Sequence, residues 1–253
     1  MRARTATRWL LGLFLFLTVS LALMSLGGDR EASSILRQVV VGGALFGGSF
    51  YLSYRFKIAP RRAVFSDQAR AVGLVPLAGD PGGILSSGFE LVTRRASIRD
   101  IETTATGTWR EHDVVVADYW YAPTSNTQID DYVRVVCALF PVPSSWPRLL
   151  VIPERIATLV GDAMLDRDPG TESERFNRSF AIRTDDRRFA SAVLDARMLE
   201  WILGLPRPVG FEILDARLLC FVPRQTDGDV LDALETGEGF LLQIPHAVEA
   251  WYR

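Results

Sequence analysis

The sequence is poor in the residues from which catalytic and metal centres are usually assembled. It has two histidines, His112 and His246, and two cysteines, Cys137 and Cys220, in 253 residues. No His-x₃-His, Cys-x₂-Cys or HExxH spacing occurs, which excludes the recognisable zinc patterns. There is no GxGxxG, no P-loop and no GxSxG, so neither a phosphate-cradling loop nor a nucleophile elbow is predicted. Two cysteines are too few for a disulfide framework. Both lie in apolar runs, VRVVCALF and ARLLCFV, where cysteine behaves as a small buried hydrophobe, and they fit a reducing compartment. Lysine is nearly absent: of 28 basic residues only Lys57 is not arginine, a bias of the kind a GC-rich genome produces. The chain shows no internal repeat and no low-complexity tract, and nothing in it calls for a cofactor.

What is present is divided unevenly along the chain. A mean hydropathy of +0.14 and a net charge of −2 average two unlike parts. Residues 1–62 hold nine basic and two acidic residues, a balance of +7, whereas residues 63–253 hold 19 basic and 28 acidic residues, a balance of −9. An acidic domain repels a phosphate backbone, so nucleic acid is not an expected partner.

The basic part contains two long apolar runs. Trp9 to Leu26 carries no charge over 18 residues. As a helix it would extend about 27 Å, close to the hydrocarbon thickness of a bilayer. After the polar loop GGDREASS, a second span is predicted over 36–54, with Arg37 near its end and Tyr51 and Tyr54 at interface positions. A cleaved signal peptide is disfavoured by the length of the first run and by the second that follows at once. A buried core helix over 39–54 is disfavoured by the basic cluster that closes it, and a re-entrant segment is permitted by the glycines but required by nothing. A transmembrane α-hairpin over 1–62 is the expectation, with the lipid bilayer as its first partner. Arg2, Arg4 and Arg8 precede the first run, and Arg55, Lys57, Arg61 and Arg62 follow the second. By the positive-inside rule both ends face the cytoplasm, which places a large cytoplasmic domain on a multi-pass protein of the cell membrane. Gly43, Ala44, Gly47 and Gly48 form a small-residue face on the second span. It is suited to packing within the hairpin, to a protein partner or to a second copy of the chain.

Beyond the anchor the pattern changes. A connector is predicted over 63–83: a short amphipathic helix within RRAVFSDQARAVGLVPL, then the turn GDPGG. From 84 to 253 the chain reads as one α+β domain with a mainly antiparallel sheet. Strands are predicted at Thr106–Arg110, Val114–Tyr121, Tyr132–Phe140, Leu149–Ile152, Arg178–Arg183, Phe211–Ile213 and Arg217–Val222. One hairpin turn is placed at Glu111-His112-Asp113 and another at Asp215-Ala216. Helices are expected in PERIATLVGDAM, from Arg187 to Leu203, and from Asp229 onward.

No constellation in this domain assembles recognisable chemistry. His112 is a turn residue beside two acids; Cys137 sits among Val135, Val136, Ala138 and Leu139 with no base beside it. The acid pairs Asp130-Asp131 and Asp185-Asp186 are ordinary in loops and caps. The run Asp118-Tyr119-Trp120-Tyr121 is the least ordinary. On a strand it turns Tyr119 and Tyr121 to one side and Asp118 and Trp120 to the other. Tyr119 and Tyr121 are therefore either core or an aromatic interaction surface.

Two stretches, GTWREHDVVVADYWY at 107–121 and ESERFNRSFAIRTDDRRFASAVLDARMLEWIL at 172–203, resemble a group of uncharacterised bacterial membrane proteins typical of actinobacteria. In that group a two-span anchor precedes a domain of unknown function; the likeness departs over 80–100. It implies an architecture and assigns no residue a role. A membrane-anchored binding, scaffold or regulatory module is the functional expectation. The competing readings are an enzyme whose site no motif exposes, with Asp118, His112 or Glu174 lining a pocket, and an accessory subunit of a membrane complex.

Overall fold

The computed structural model describes residues 42–43, 47–48, 58–93, 99–121, 133–154, 173–224 and 229–252. The chain divides into two compact units, Met1–Ala63 and Val64–Arg253. In the first, Gly42, Gly43, Gly47 and Gly48 are helical, and the rest of the two apolar runs, with Ala44, lies outside the described residues. Among the described residues no helix is long and apolar enough to cross a membrane.

The second unit is an α+β fold built on one eight-stranded sheet in which every pairing is antiparallel. The strands are β1 (Val75–Leu77), β2 (Arg99–Trp109), β3 (His112–Tyr121), β4 (Val133–Pro141), β5 (Leu149–Pro153), β6 (Phe180–Thr184), β7 (Gly210–Leu214) and β8 (Arg217–Pro223). Their order across the sheet is β1-β2-β3-β4-β8-β7-β5-β6. Helices α1 (Ala59–Ala71), α2 (Glu90–Thr93), α3 (Glu174–Ser179), α4 (Arg187–Val193), α5 (Ala196–Gly204), α6 (Asp229–Gln243) and α7 (His246–Trp251) complete the described elements.

Near-continuous apolar runs such as VRVVCALF and RLLCFV form strands because both faces of the sheet are covered, so alternate residues have separate cores to enter. On one face Val116, Val136, Ala138, Phe140, Phe211 and Cys220 meet residues of α1 and α3 through α7. Phe211 and Phe240 stack there with ring centroids 4.5 Å apart. On the other face Ala117, Tyr119, Tyr121, Cys137, Leu219 and Phe221 are covered by Ile84, Phe89, Leu91 and Val92. The segment read as a connector thus belongs to the domain. Phe65, Ala69 and Leu74 are buried, β1 adds a strand, and the stretch after it roofs one face.

Three local features differ from the sequence expectation. The β2–β3 turn is Arg110–Glu111, with His112 already paired to Trp109; Arg110 takes φ 52°, the left-handed geometry that a two-residue hairpin needs. The second hairpin turns at Asp215 and Ala216 as predicted, both at positive φ (48° and 60°). The helix expected from Arg187 to Leu203 is two helices. The Asp195 carboxylate accepts from the Met198 amide at 2.8 Å and starts a new helix there. The Arg178–Arg183 strand begins at Phe180, because Ser173 caps a short helix that runs to Ser179.

Candidate functional site

Two networks of buried charge stand out in the domain, one on each face of the sheet. The first surrounds Asp118, which is fully buried on the face shared with Val116. It is brought about by a β-bulge. Ile101 pairs with Tyr119 and Thr103 with Asp118, so Glu102 is the extra residue. A bulge puts consecutive side chains on one face, and here Glu102 and Thr103 are both turned toward Asp118. Arg134, opposite Trp120 in the β3–β4 ladder, spans the two acids: its two terminal nitrogens lie 2.5 Å from Glu102 Oε2 and 3.4 Å from Asp118 Oδ2.

Arg224, just past the end of β8, donates to Asp118 Oδ2 at 2.5 Å, and its Nε lies 3.8 Å from Asp229 Oδ2. Asp229 opens α6 and receives Arg207 at 2.9 Å, and Arg207 also reaches Asp232 and the carbonyl of Pro223. The network therefore ties four strand ends to the start of a helix. Among the described residues it is not saturated: Asp118 Oδ1, Glu102 Oε1 and Thr103 Oγ1 are buried without a hydrogen-bond partner. Burial pushes the Asp118 carboxyl above the ordinary carboxylate range. Arg224 and Arg134 pull it down and Glu102 pushes it up, and the balance is upward.

The second network holds the roof segment. Glu212, fully buried in β7, accepts from the Leu91 amide at 2.9 Å with Oε2 and from Arg148 at 3.0 Å with Oε1. Glu90 bridges Arg148 and Arg183 at 2.5 and 2.6 Å. Tyr119 donates its hydroxyl to the Val92 carbonyl at 2.9 Å, and Arg217 donates to the Gly82 carbonyl at 2.8 Å. These contacts fix the roof against the sheet. Leu91 lies so close to β7 that a Cβ on Gly210 would sit 2.9 Å from its Cδ2.

The residues singled out from the sequence are scattered by this fold. Tyr119 and Tyr121 are buried under the roof segment, stacked with centroids 5.9 Å apart, so they form core and not a surface. The alternation that separates them from Asp118 is as predicted, but both faces of the strand are covered. His112 packs edge-on against Phe140 at 5.9 Å, and Glu174 is an exposed residue of α3 paired with Arg178. Neither joins Asp118. Cys137 and Cys220 form no disulfide; both are buried, on opposite faces, and burial drives the Cys220 thiol well above its usual range. Among the described residues no three His, Cys, Asp or Glu side chains are grouped to hold a metal ion.

Glu102, Arg134, Arg207 and Arg224 carry no signal in the sequence, since the bulge and the register that assemble them are long-range. An aspartate inside the apolar run VVVADYWY was the one available hint. No family model matches this chain, and neither a curated protein nor a solved structure matches it.

Proposed function

We propose that this chain is a membrane-anchored cytoplasmic module that binds, scaffolds or regulates a partner at the bilayer surface. The observation that carries the reading is the short interval between its two parts. The second apolar run ends at Tyr54, and Phe65, eleven residues on, is already a core residue of the domain. A tether that short keeps a domain near the surface and raises its effective concentration toward anything else confined there. The basic flank of Arg55, Lys57, Arg61 and Arg62 suits anionic headgroups, while the acidic domain is repelled by them. The charge networks are consistent with such a role: their described members are engaged in holding strands, roof and helices in one shape.

The resemblance to two-span bacterial proteins with a following domain is part of the same reading. The alternative, an enzyme, draws on one observation, the adjoining Asp118 and Glu102 carboxylates. Paired acids of this kind can move protons, but Asp118 is fully buried and bonded to Arg224. The test is a reporter fused after Arg253 in the intact cell, combined with alkaline extraction of membranes and crosslinking in the membrane. The expected outcome is a cytoplasmic reporter, a chain that resists extraction, and a discrete crosslinked species. An external reporter or release by alkali refutes the anchoring, and a chain that crosslinks to nothing refutes the binding role.

A further inference from the structure

We propose that Asp118 and Glu102 form a proton-binding pair that holds one proton in the folded domain and releases it as pH rises, loosening the start of α6. The geometry that points to this is the single guanidinium laid across both acids. Arg134 takes Oδ2 of Asp118 and Oε2 of Glu102, which leaves Oδ1 and Oε1 as the second oxygens of two neighbouring carboxylates. Both are buried, and neither has a hydrogen-bond partner among the described residues. Two ionised carboxylates there would offer only acceptors, and the neighbouring Thr103 hydroxyl makes no hydrogen bond to either among the described residues. A proton on one acid removes a buried negative charge beside the other and turns an unpaired acceptor into a donor, as in carboxyl pairs that cannot both ionise.

The charge of the cluster, counted over its described ion pairs, agrees. Glu102, Asp118, Asp229 and Asp232 face Arg134, Arg207 and Arg224, four carboxylates against three guanidinium groups, so one proton brings it to neutrality. Among the described residues the charged groups acting on Asp118 are three: Glu102 of β2 opposes ionisation, while Arg134 of β4 and Arg224 beyond β8 favour it. Burial exceeds both and leaves Asp118 harder to ionise than a solvated aspartate.

Release transfers the proton to solvent water and leaves a second full negative charge in the pair. A charged Asp118 then competes with Asp229 for Arg224, which spans the two. Asp229 is left chiefly to Arg207, and the first turn of α6 loses a tie. The sign follows from the raised folded-state value. The stabilisation is complete below the ordinary aspartate range and is lost as pH rises through the elevated one.

Infrared difference spectra of the full chain in lipid nanodiscs test this directly, comparing wild type with Asp118→Asn and Glu102→Gln. Wild type is expected to keep a protonated carboxyl band at pH values where solvated carboxylates have ionised. Asp118→Asn should lose that band, and Glu102→Gln should move its titration to lower pH. Hydrogen exchange at amides 229–234, corrected for its intrinsic pH dependence, should rise with pH in wild type and stay flat in Asp118→Asn. A wild type without the band overturns the proposal. So does a band that survives in Asp118→Asn, which assigns it to another acid such as Glu212. Should Asp118→Asn not fold, an unshifted titration in Glu102→Gln overturns it alone.

Discussion

Glu212 sits fully buried in β7, with one oxygen on the Leu91 amide and the other on Arg148. Removing such a side chain leaves a buried donor and a cation short of their partner. Breaking a buried pair from one side typically costs about 3–5 kcal/mol. Arg148 is a quarter exposed and keeps Glu90, so Glu212→Ala is expected to lose nearer about 2 kcal/mol in urea unfolding. Burial raises Glu212 above its unfolded-state value, against the hydrogen bonds from Leu91, Glu90 and Arg148 that pull it down. Its ionisation therefore weakens the fold as pH climbs through the raised value, and Glu212→Gln should flatten that part of the pH profile.

Gly237, in the middle of α6, presents the opposite case of a residue needed for what it lacks. A Cβ there would overlap the Phe140 ring, whereas one at Gly204 would meet nothing within 4 Å. Alanine is worth about 1 kcal/mol over glycine inside an exposed helix. Gly204→Ala should thus be neutral or slightly stabilising. Gly237→Ala should destabilise by about 1–3 kcal/mol through overpacking. Equal midpoints for the two variants in the same denaturant series would refute the close helix–sheet approach.

At the scale of elements, α7 is held against α4 by the residue that follows it, Tyr252. Tyr252 donates its hydroxyl to Asp186 Oδ2 at 2.6 Å, and its ring meets Phe189 edge-on at 5.2 Å. Asp186 also caps α4, accepting from the amides of Arg188 and Phe189 at 2.8 and 3.1 Å. These bonds, Tyr252 first, hold the Asp186 carboxyl below the ordinary aspartate value. A depressed group contributes stability above its unfolded value and loses it as pH falls through the folded one. Tyr252→Phe keeps the ring and removes the donor, so the Asp186 titration followed by NMR should move upward toward the usual range. A titration that stays put would mean that the cap amides alone set it.

The elements themselves were legible in the sequence to different depths, and the reasons are physical. Strands β3, β4 and β8 are apolar runs bounded by turns, and they form where the pattern places them. The first half of β2, Arg99 to Thr103, is polar because its bulge turns side chains into the Asp118 network, so no alternation marks it. The break between α4 and α5 depends on Asp195 bonding backward to a helix start rather than facing solvent, a choice that hydrophobic periodicity does not report. The roof segment carries few apolar residues in sequence, yet Ile84, Phe89, Leu91 and Val92 are wholly buried. What holds it is Glu212, 121 positions away from Leu91. Pairings at that separation leave no local trace, which is why the candidate site emerged only with the fold.

For the whole molecule the governing feature is the division of charge, +7 over residues 1–62 and −9 beyond them. Such a chain has one end matched to anionic lipid and another repelled by it. If residues 36–54 span the bilayer as proposed, the small-residue face of Gly43, Ala44, Gly47 and Gly48 is the surface on which another helix can approach closely. Gly43 and Gly47 are helical, and nothing among the described residues comes within 4 Å of a Cβ placed on either. Leucine at both positions would hold a neighbouring backbone away and forfeit the contacts that drive association in lipid, where no hydrophobic gain replaces them. The double variant Gly43→Leu, Gly47→Leu is therefore expected to reduce crosslinking between chains, or to a partner, in native membranes. Membrane insertion should be undiminished, because leucine favours it. Crosslinking that persists at the wild-type level would remove this face from the interaction. Association would then have to reside in the acidic domain, where deleting residues 1–62 and repeating the measurement would locate it.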